Sequence, residues 1–243
     1  MKTHQIHPLR GLSPLKSAMY VKKDLTCLLC LPILYLRNIT IQINQIGIKM
    51  NQYRRKLLNA VLFFSKKKMK HLNTTKLSKL LYFLDFTHVK KTGYPSIGLQ
   101  YNAFEQGPVP KSFWLEIKDG IVPEDFKKSL TIIVNRDNLS NEKRELTFKA
   151  KSDPDMKVFT PREQKILKDL AFFYLEATAA QMSEVSHLKN QPWDITYRTK
   201  GKNAPIDYEL AIDSDVTINK EEIKQLIKDH FEIVKNFELS PIG

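Results

Sequence analysis

Asp85, Glu105, His187 and Trp193 make the strongest chemical constellation in the chain. An acid and an imidazole in hydrogen-bond reach can pass a proton, so Asp85 and His187 facing a cleft would be a general acid–base pair. A simpler reading needs no substrate. Asp85 falls toward the end of an apolar helical stretch, where an ionised carboxylate is costly unless it finds a donor. His187, near the end of its own helix, is favoured as a cation by the helix dipole. A buried Asp85–His187 hydrogen bond tying two helices together, with Trp193 packed over it, satisfies both groups, and this structural reading is preferred to the catalytic one.

Other chemistry is sparse. The sequence contains no Gly-x-x-x-x-Gly-Lys-Ser/Thr loop, no Gly-x-Gly-x-x-Gly after a strand, no Gly-x-Ser-x-Gly and no His-Glu-x-x-His. Cys27 and Cys30 are the two cysteines; a structural zinc site takes about four ligands, so no metal is expected. The expectation is a protein that is not an enzyme and needs no cofactor. Beyond Cys30 the chain has no cysteine, needs no disulfides and fits a reducing cytoplasm.

The element that must position Asp85 is a helix over about 75–92. Leu77, Leu80, Leu81 and Leu84 recur at i, i+3, i+4 and i+7, while Tyr82, Phe83 and Phe86 extend apolar surface around the circumference. Such a helix must be buried. Thr74 or Thr75 can cap it, Lys90 and Lys91 suit its negative end, and Gly93 can close it. Before it, Tyr53, Leu57, Leu58, Val61, Leu62 and Phe64 mark an amphipathic helix over 51–66, followed by the basic turn Lys66-Lys67-Lys68-Met69-Lys70. The pair looks like a helix-turn-helix, but a DNA reader keeps polar side chains on its second helix. Core packing is the better reading.

After Gly93, residues 97–104 read as extended. Gly107-Pro108-Val109-Pro110 ends that run, because proline cannot donate to a ladder, and Pro110 begins a helix over 111–119 that Gly120 closes. A rigid corner and a partner surface are both open readings of this stretch. Residues 130–134 and 145–150 predict a hairpin around a polar turn. Thr160-Pro161-x-Glu163 is a capping box for a helix to about 177, and Thr178 restarts the chain for a helix to His187. Residues 194–205 read as irregular, and Asn219 caps a last helix with Ile223, Leu226, Ile227, His230, Phe231 and Val234 on one face. This order predicts a mainly helical α+β domain around a buried central helix, with a small antiparallel sheet inserted.

With 243 residues and 42% apolar content, the chain can build a sizeable core. Its formal charge of +13 invites a nucleic-acid reading, but residues 1–49 contribute +6 and the remainder only +7. Residues 25–36 form an apolar run broken by Pro32; it is shorter than the roughly 20 residues a span needs, so no membrane association is expected. Residues 1–49 are expected to be an upstream extension, with the functional protein starting at Met50.

Lys76-Leu77-x-Lys79-Leu80-Leu81-Tyr82-Phe83, then Gly107-Pro108-Val109-Pro110, then Ser183-x-x-Ser186-His187 with Pro192-Trp193, together resemble the Panacea (SocA-like, DUF4065) antitoxin domain. The resemblance covers residues 50–243 and departs at Ala103-Phe104, where many members have Ala-Trp. It implies a prokaryotic or phage antitoxin of a type II toxin–antitoxin system. Such a protein neutralises a toxin from a neighbouring gene by direct binding and, in SocA-like cases, hands it to a protease as an adaptor. The partner-binding candidates are Phe104, Gly107, Pro108, Val109, Pro110, Phe113 and Trp114, as exposed aromatic and proline corners, joined by Tyr82 and Trp193 where exposed. Two other classes stay in view: a DNA-binding autoregulator using residues 66–70, and an enzyme using Asp85 and His187.

Overall fold

Asn73 starts the central helix. Its side chain accepts from the Lys76 N–H at 2.9 Å, one residue earlier than the threonines expected to cap it, and its amide also donates to Glu145 at 2.8 Å. The computed structural model describes residues 52–136, 144–212 and 219–236; residues 1–49, with Cys27 and Cys30, lie outside them, as does the polar turn of the predicted hairpin. Helix α1 covers residues 52–66 and α2 covers Thr74–Thr92. Leu77, Leu80, Leu81 and Leu84 are all sealed from solvent, and so are Lys76, Lys79 and Asp85 on the same helix. The predicted buried central helix is therefore present. Gly93, with φ +82°, closes it in the left-handed conformation and donates to the Val89 carbonyl.

Strand β1 is shorter than the predicted extended run, Tyr101–Phe104, because residues 97–99 turn their N–H groups to Asp85. Gly107–Pro110 does not end the sheet: it is strand β2, antiparallel to β1, with Ala103 opposite Pro108 and Tyr101 opposite Pro110. The prolines are tolerated because Ala103 and Tyr101 spend their backbone groups on the other side. Ala103 exchanges hydrogen bonds with Ala204 and Asn203, and the Tyr101 carbonyl accepts from Ile206. Pro108 and Pro110 thus occupy positions where no ladder N–H is needed.

Helix α3, Lys111–Ile117, follows directly. Strands β3 (Leu130–Arg136) and β4 (Arg144–Ala150) form the predicted hairpin, antiparallel from Leu130 opposite Ala150 to Arg136 opposite Arg144. Helix α4, Pro161–Phe173, carries both halves of the capping box at Thr160 and Glu163. Glu163 also accepts from Lys56 and Ser96, each at 2.7 Å, which ties α1 and the 96–99 loop to α4. Helix α5, Ala179–Ser186, has its own box at Thr178 and Gln181. Residues 194–200, part of the stretch expected to be irregular, belong to helix α6 (Pro192–Lys200), with proline in the first turn and an Asp194–Arg198 pair at i, i+4. Helix α7 is Lys220–Asn236.

The result is a mainly helical α+β fold in which α2 packs against β2, α4, α5 and α7. Among the described residues no helix is long and apolar enough to cross a membrane.

The junction of α2 with α7 is tight: a Cβ built on Gly93 falls 2.6 Å from the Leu226 Cβ. Gly93→Ala combines that clash with a left-handed alanine, which alone costs about 1–2 kcal/mol. Chemical denaturation of the variant is expected to show a lower midpoint with an unchanged slope.

Candidate functional site

Sequence motifs separated by about thirty to ninety residues meet at the tip of the β1–β2 hairpin. The Trp193 indole N–H donates to the Phe104 carbonyl at 2.9 Å, and Ser183 Oγ donates to the Gln106 carbonyl at 3.1 Å. Ser186 Oγ donates to the Ser183 carbonyl at 2.8 Å, and Lys79 Nζ reaches the Pro108 carbonyl at 3.4 Å. Gly107, at φ +107°, is the point of closest approach. A Cβ there would lie 2.7 Å from Lys79 Nζ and 2.8 Å from Ser186 Oγ, so only glycine lets α2 and α5 close on the hairpin. His187 caps α5 and stacks on Trp193, ring centroids 3.7 Å apart, and Trp193 stacks in turn on Tyr197.

Lys76 and Lys79 are both fully buried on α2 and differently served. Lys76 Nζ donates to the carbonyls of Lys70 and Ala177 at 2.6 Å and of Leu175 at 3.3 Å. Those carbonyls explain why α4 stops at Phe173 and not at about 177: the chain beyond it turns toward the ammonium. Among the described residues Lys79 has only its long contact to Pro108, and burial pulls its pKa down to about 7. Burial, and then the facing Lys79, also hold the His187 imidazole below its ordinary pKa.

Asp85 does not meet His187, contrary to the expected pair. On an α-helix the six residues from Lys79 to Asp85 span about 9 Å, and Asp85 faces the 96–101 loop. Its oxygens accept from Ile97 N–H at 2.6 Å, from Gly98 and Leu99 N–H at 3.3 Å, and from the Tyr101 hydroxyl at 2.9 Å. The Tyr208 hydroxyl lies 3.2 Å away and donates to the Leu99 carbonyl at 2.6 Å. Burial pushes the Asp85 pKa up and these donors pull it back. The carboxylate is the anchor of a loop. His187, for its part, has a buried Nε2 with no hydrogen-bond partner among the described residues. The acid–base pair on which the enzymatic alternative depends is not assembled.

Beside the hairpin lies an open cleft of about 610 Å³, lined by Ser78, Lys79, Phe104, Val109, Trp114 and Lys118 among others. Phe104 and Trp114 are 6.1 Å apart and tilted, with Lys118 over the indole at 5.9 Å. Of the partner-binding candidates, Phe104, Val109 and Trp114 therefore reach a surface. Gly107, Pro108 and Pro110 are buried because their strand lies on α2, and Phe113, on α3, belongs to the core against Phe126; none of the four is an exposed corner. Tyr82 and Trp193 are buried as well. Lys66 pairs with Asp153 at 2.9 Å, Lys70 with Glu176, and Lys67 lies over the Phe63 ring, so three lysines of the basic turn have partners within the fold.

The sequence reading misses one surface. Phe172 and Phe173, at the end of α4, are 78% and 72% exposed and touch edge to face. The available signal was their place outside the buried stripe of Ile166, Leu167, Leu170 and Ala171. Among the described residues no cluster of His, Cys, Asp or Glu could hold a metal ion.

Residues 77–194 match the family model described as Antitoxin SocA-like, Panacea domain, which spans every motif from Leu77 to Trp193. No curated protein and no solved structure matches the chain.

Asp85→Asn places an amide N–H₂ against three backbone donors, and denaturation is expected to show a loss of about 2–4 kcal/mol. For Lys79 the effect depends on pH. The unfolded side chain titrates near 10.4 and the folded one near 7, so between those values the native state binds fewer protons and stability rises with pH. Measured against Lys79→Met at pH 6.5 and 8.5, the wild type is expected to gain about 2 kcal/mol on the variant over that interval.

Proposed function

From the premise that residues 77–194 are a Panacea domain of the antitoxin SocA-like family, we propose that this chain is the antitoxin of a type II toxin–antitoxin pair. It acts in the cytoplasm and neutralises a toxin encoded by a neighbouring gene through direct binding. The domain extends past the matched stretch to α1 and α7, since Leu57, Val61 and Phe64 on one side and Ile223 and Ile227 on the other belong to the same core as α2. The observation that carries the reading is the convergence of α2, α5 and α6 on the hairpin tip, which holds Phe104 and Trp114 as the walls of an open cleft. Rigidly held aromatics at a surface are the groups that anchor protein partners. The Phe172–Phe173 pair supplies a second anchor, being two adjacent large apolar side chains left in water. Delivery of the bound toxin to a protease is the SocA-like extension of this role, read out as a shortened toxin half-life.

Co-expression with the product of the neighbouring gene is expected to restore growth and to give one complex by size-exclusion chromatography. Trp114→Ala is expected to weaken that complex about tenfold or more, and the Phe172→Ser/Phe173→Ser double variant to weaken it as well. Failure of the wild-type chain either to co-elute or to rescue overturns the proposal.

A further inference from the structure

Lys79 lines the cleft and has no surface exposed. An ammonium has three N–H donors; one makes the 3.4 Å contact with the Pro108 carbonyl, and the others have no acceptor among the described residues. No carboxylate pairs with it among the described residues, although a buried charge ordinarily requires one. Three residues earlier, Lys76 is equally buried and has three carbonyls, so the fold is able to satisfy a lysine on this helix and does not do so at 79. The groups facing Lys79 are the Pro108 carbonyl from β2 and the Ser186 hydroxyl and His187 imidazole from α5. The cleft walls add Glu105, already paired with Lys202 at 2.6 Å, and Lys118 and Asp119.

We propose that the cleft receives the carboxylate of one Asp or Glu side chain of the bound protein partner, with the Lys79 ammonium as its counter-ion. This rests on the antitoxin reading and names the chemistry its partner presents. A carboxylate supplies acceptors for the unserved Lys79 donors in a charge-assisted bond, and the flexible lysine stem lets Nζ leave its long contact with Pro108 to meet it. The lining sets three lysines, Lys79, Lys118 and Lys202, against two acids, Glu105 and Asp119, an excess of one positive charge that suits a single carboxylate and not a polyanion such as a nucleic acid backbone. Phe104 and Trp114 suit the apolar stem and neighbours of a protruding protein segment better than a small free acid.

Lys79 titrates near 7 in the free chain, so closing the ion pair draws a proton onto it, and affinity falls as pH rises through neutrality. Isothermal titration of the full chain with the neighbouring-gene product, at pH 6.5 and 8.5 and in two buffers of different ionisation enthalpy, reads this directly. The expected result is a Kd that weakens up to about 25-fold over that interval, with net proton uptake at the higher pH. Lys79→Met is expected to weaken binding at pH 6.5 and to flatten the profile. The proton uptake of the wild type needs no variant and stands even if Lys79→Met folds poorly. A complex whose affinity is the same at both pH values, without proton uptake, overturns this inference and leaves the antitoxin reading intact. Absence of any complex at either pH overturns both.

Discussion

A polar side chain on the buried faces of α2 cannot be left to water, and Lys76, Asp85 and His88 are each answered by another part of the chain. The answers are mostly backbone. Lys76 takes the carbonyls around 70 and 175–177, Asp85 takes the N–H groups of 97–99, and His88 Nδ1 bonds to the Tyr94 carbonyl at 2.7 Å. Segments without regular structure are thereby pinned to the one element that cannot move without exposing its leucines. The cost of an unpaired group in a low-dielectric interior gives these bonds their leverage.

Much of this was legible in the sequence where a local rule operates. The leucine stripe of α2, the Thr160/Glu163 box and the β3–β4 hairpin follow from periodicity, capping and turn chemistry, each of which acts over a few residues. The hairpin tip was half legible: its motifs were recognisable one by one, but nothing local says that Lys79, Gly107 and Ser186 share one point in space. The Asp85–His187 pair failed for the same reason. Its premise, that a buried carboxylate must find a donor, was sound, and the donors turned out to be backbone N–H groups that no side-chain pattern announces. The α6 helix was hidden by its polar composition, with only the first-turn proline and the Asp194–Arg198 spacing to reveal it. The β2 strand was concealed by a rule applied too broadly, since proline is excluded from a ladder only at the positions that donate.

Lys79 and His187 stand apart from this pattern of satisfied groups. Each is a titratable side chain whose polar end is buried, each is shifted toward its neutral form by burial, and they face one another across the hairpin tip. Structural economy elsewhere in the core makes this pair informative: where the same helix needed a lysine for stability alone, at 76, the carbonyls were provided.

The prolines of β2 carry a consequence beyond register. Their backbone nitrogens face away from β1, on the side where the Pro108 carbonyl looks toward Lys79, and a residue with an N–H at 108 or 110 would leave a donor stranded against α2. Lacking that hydrogen, the edge can be laid on a greasy helix without penalty and is equally unable to recruit a further strand. Sheet extension, a common route both to peptide capture and to self-aggregation, is closed at this hairpin. Whatever docks there must be recognised by its side chains.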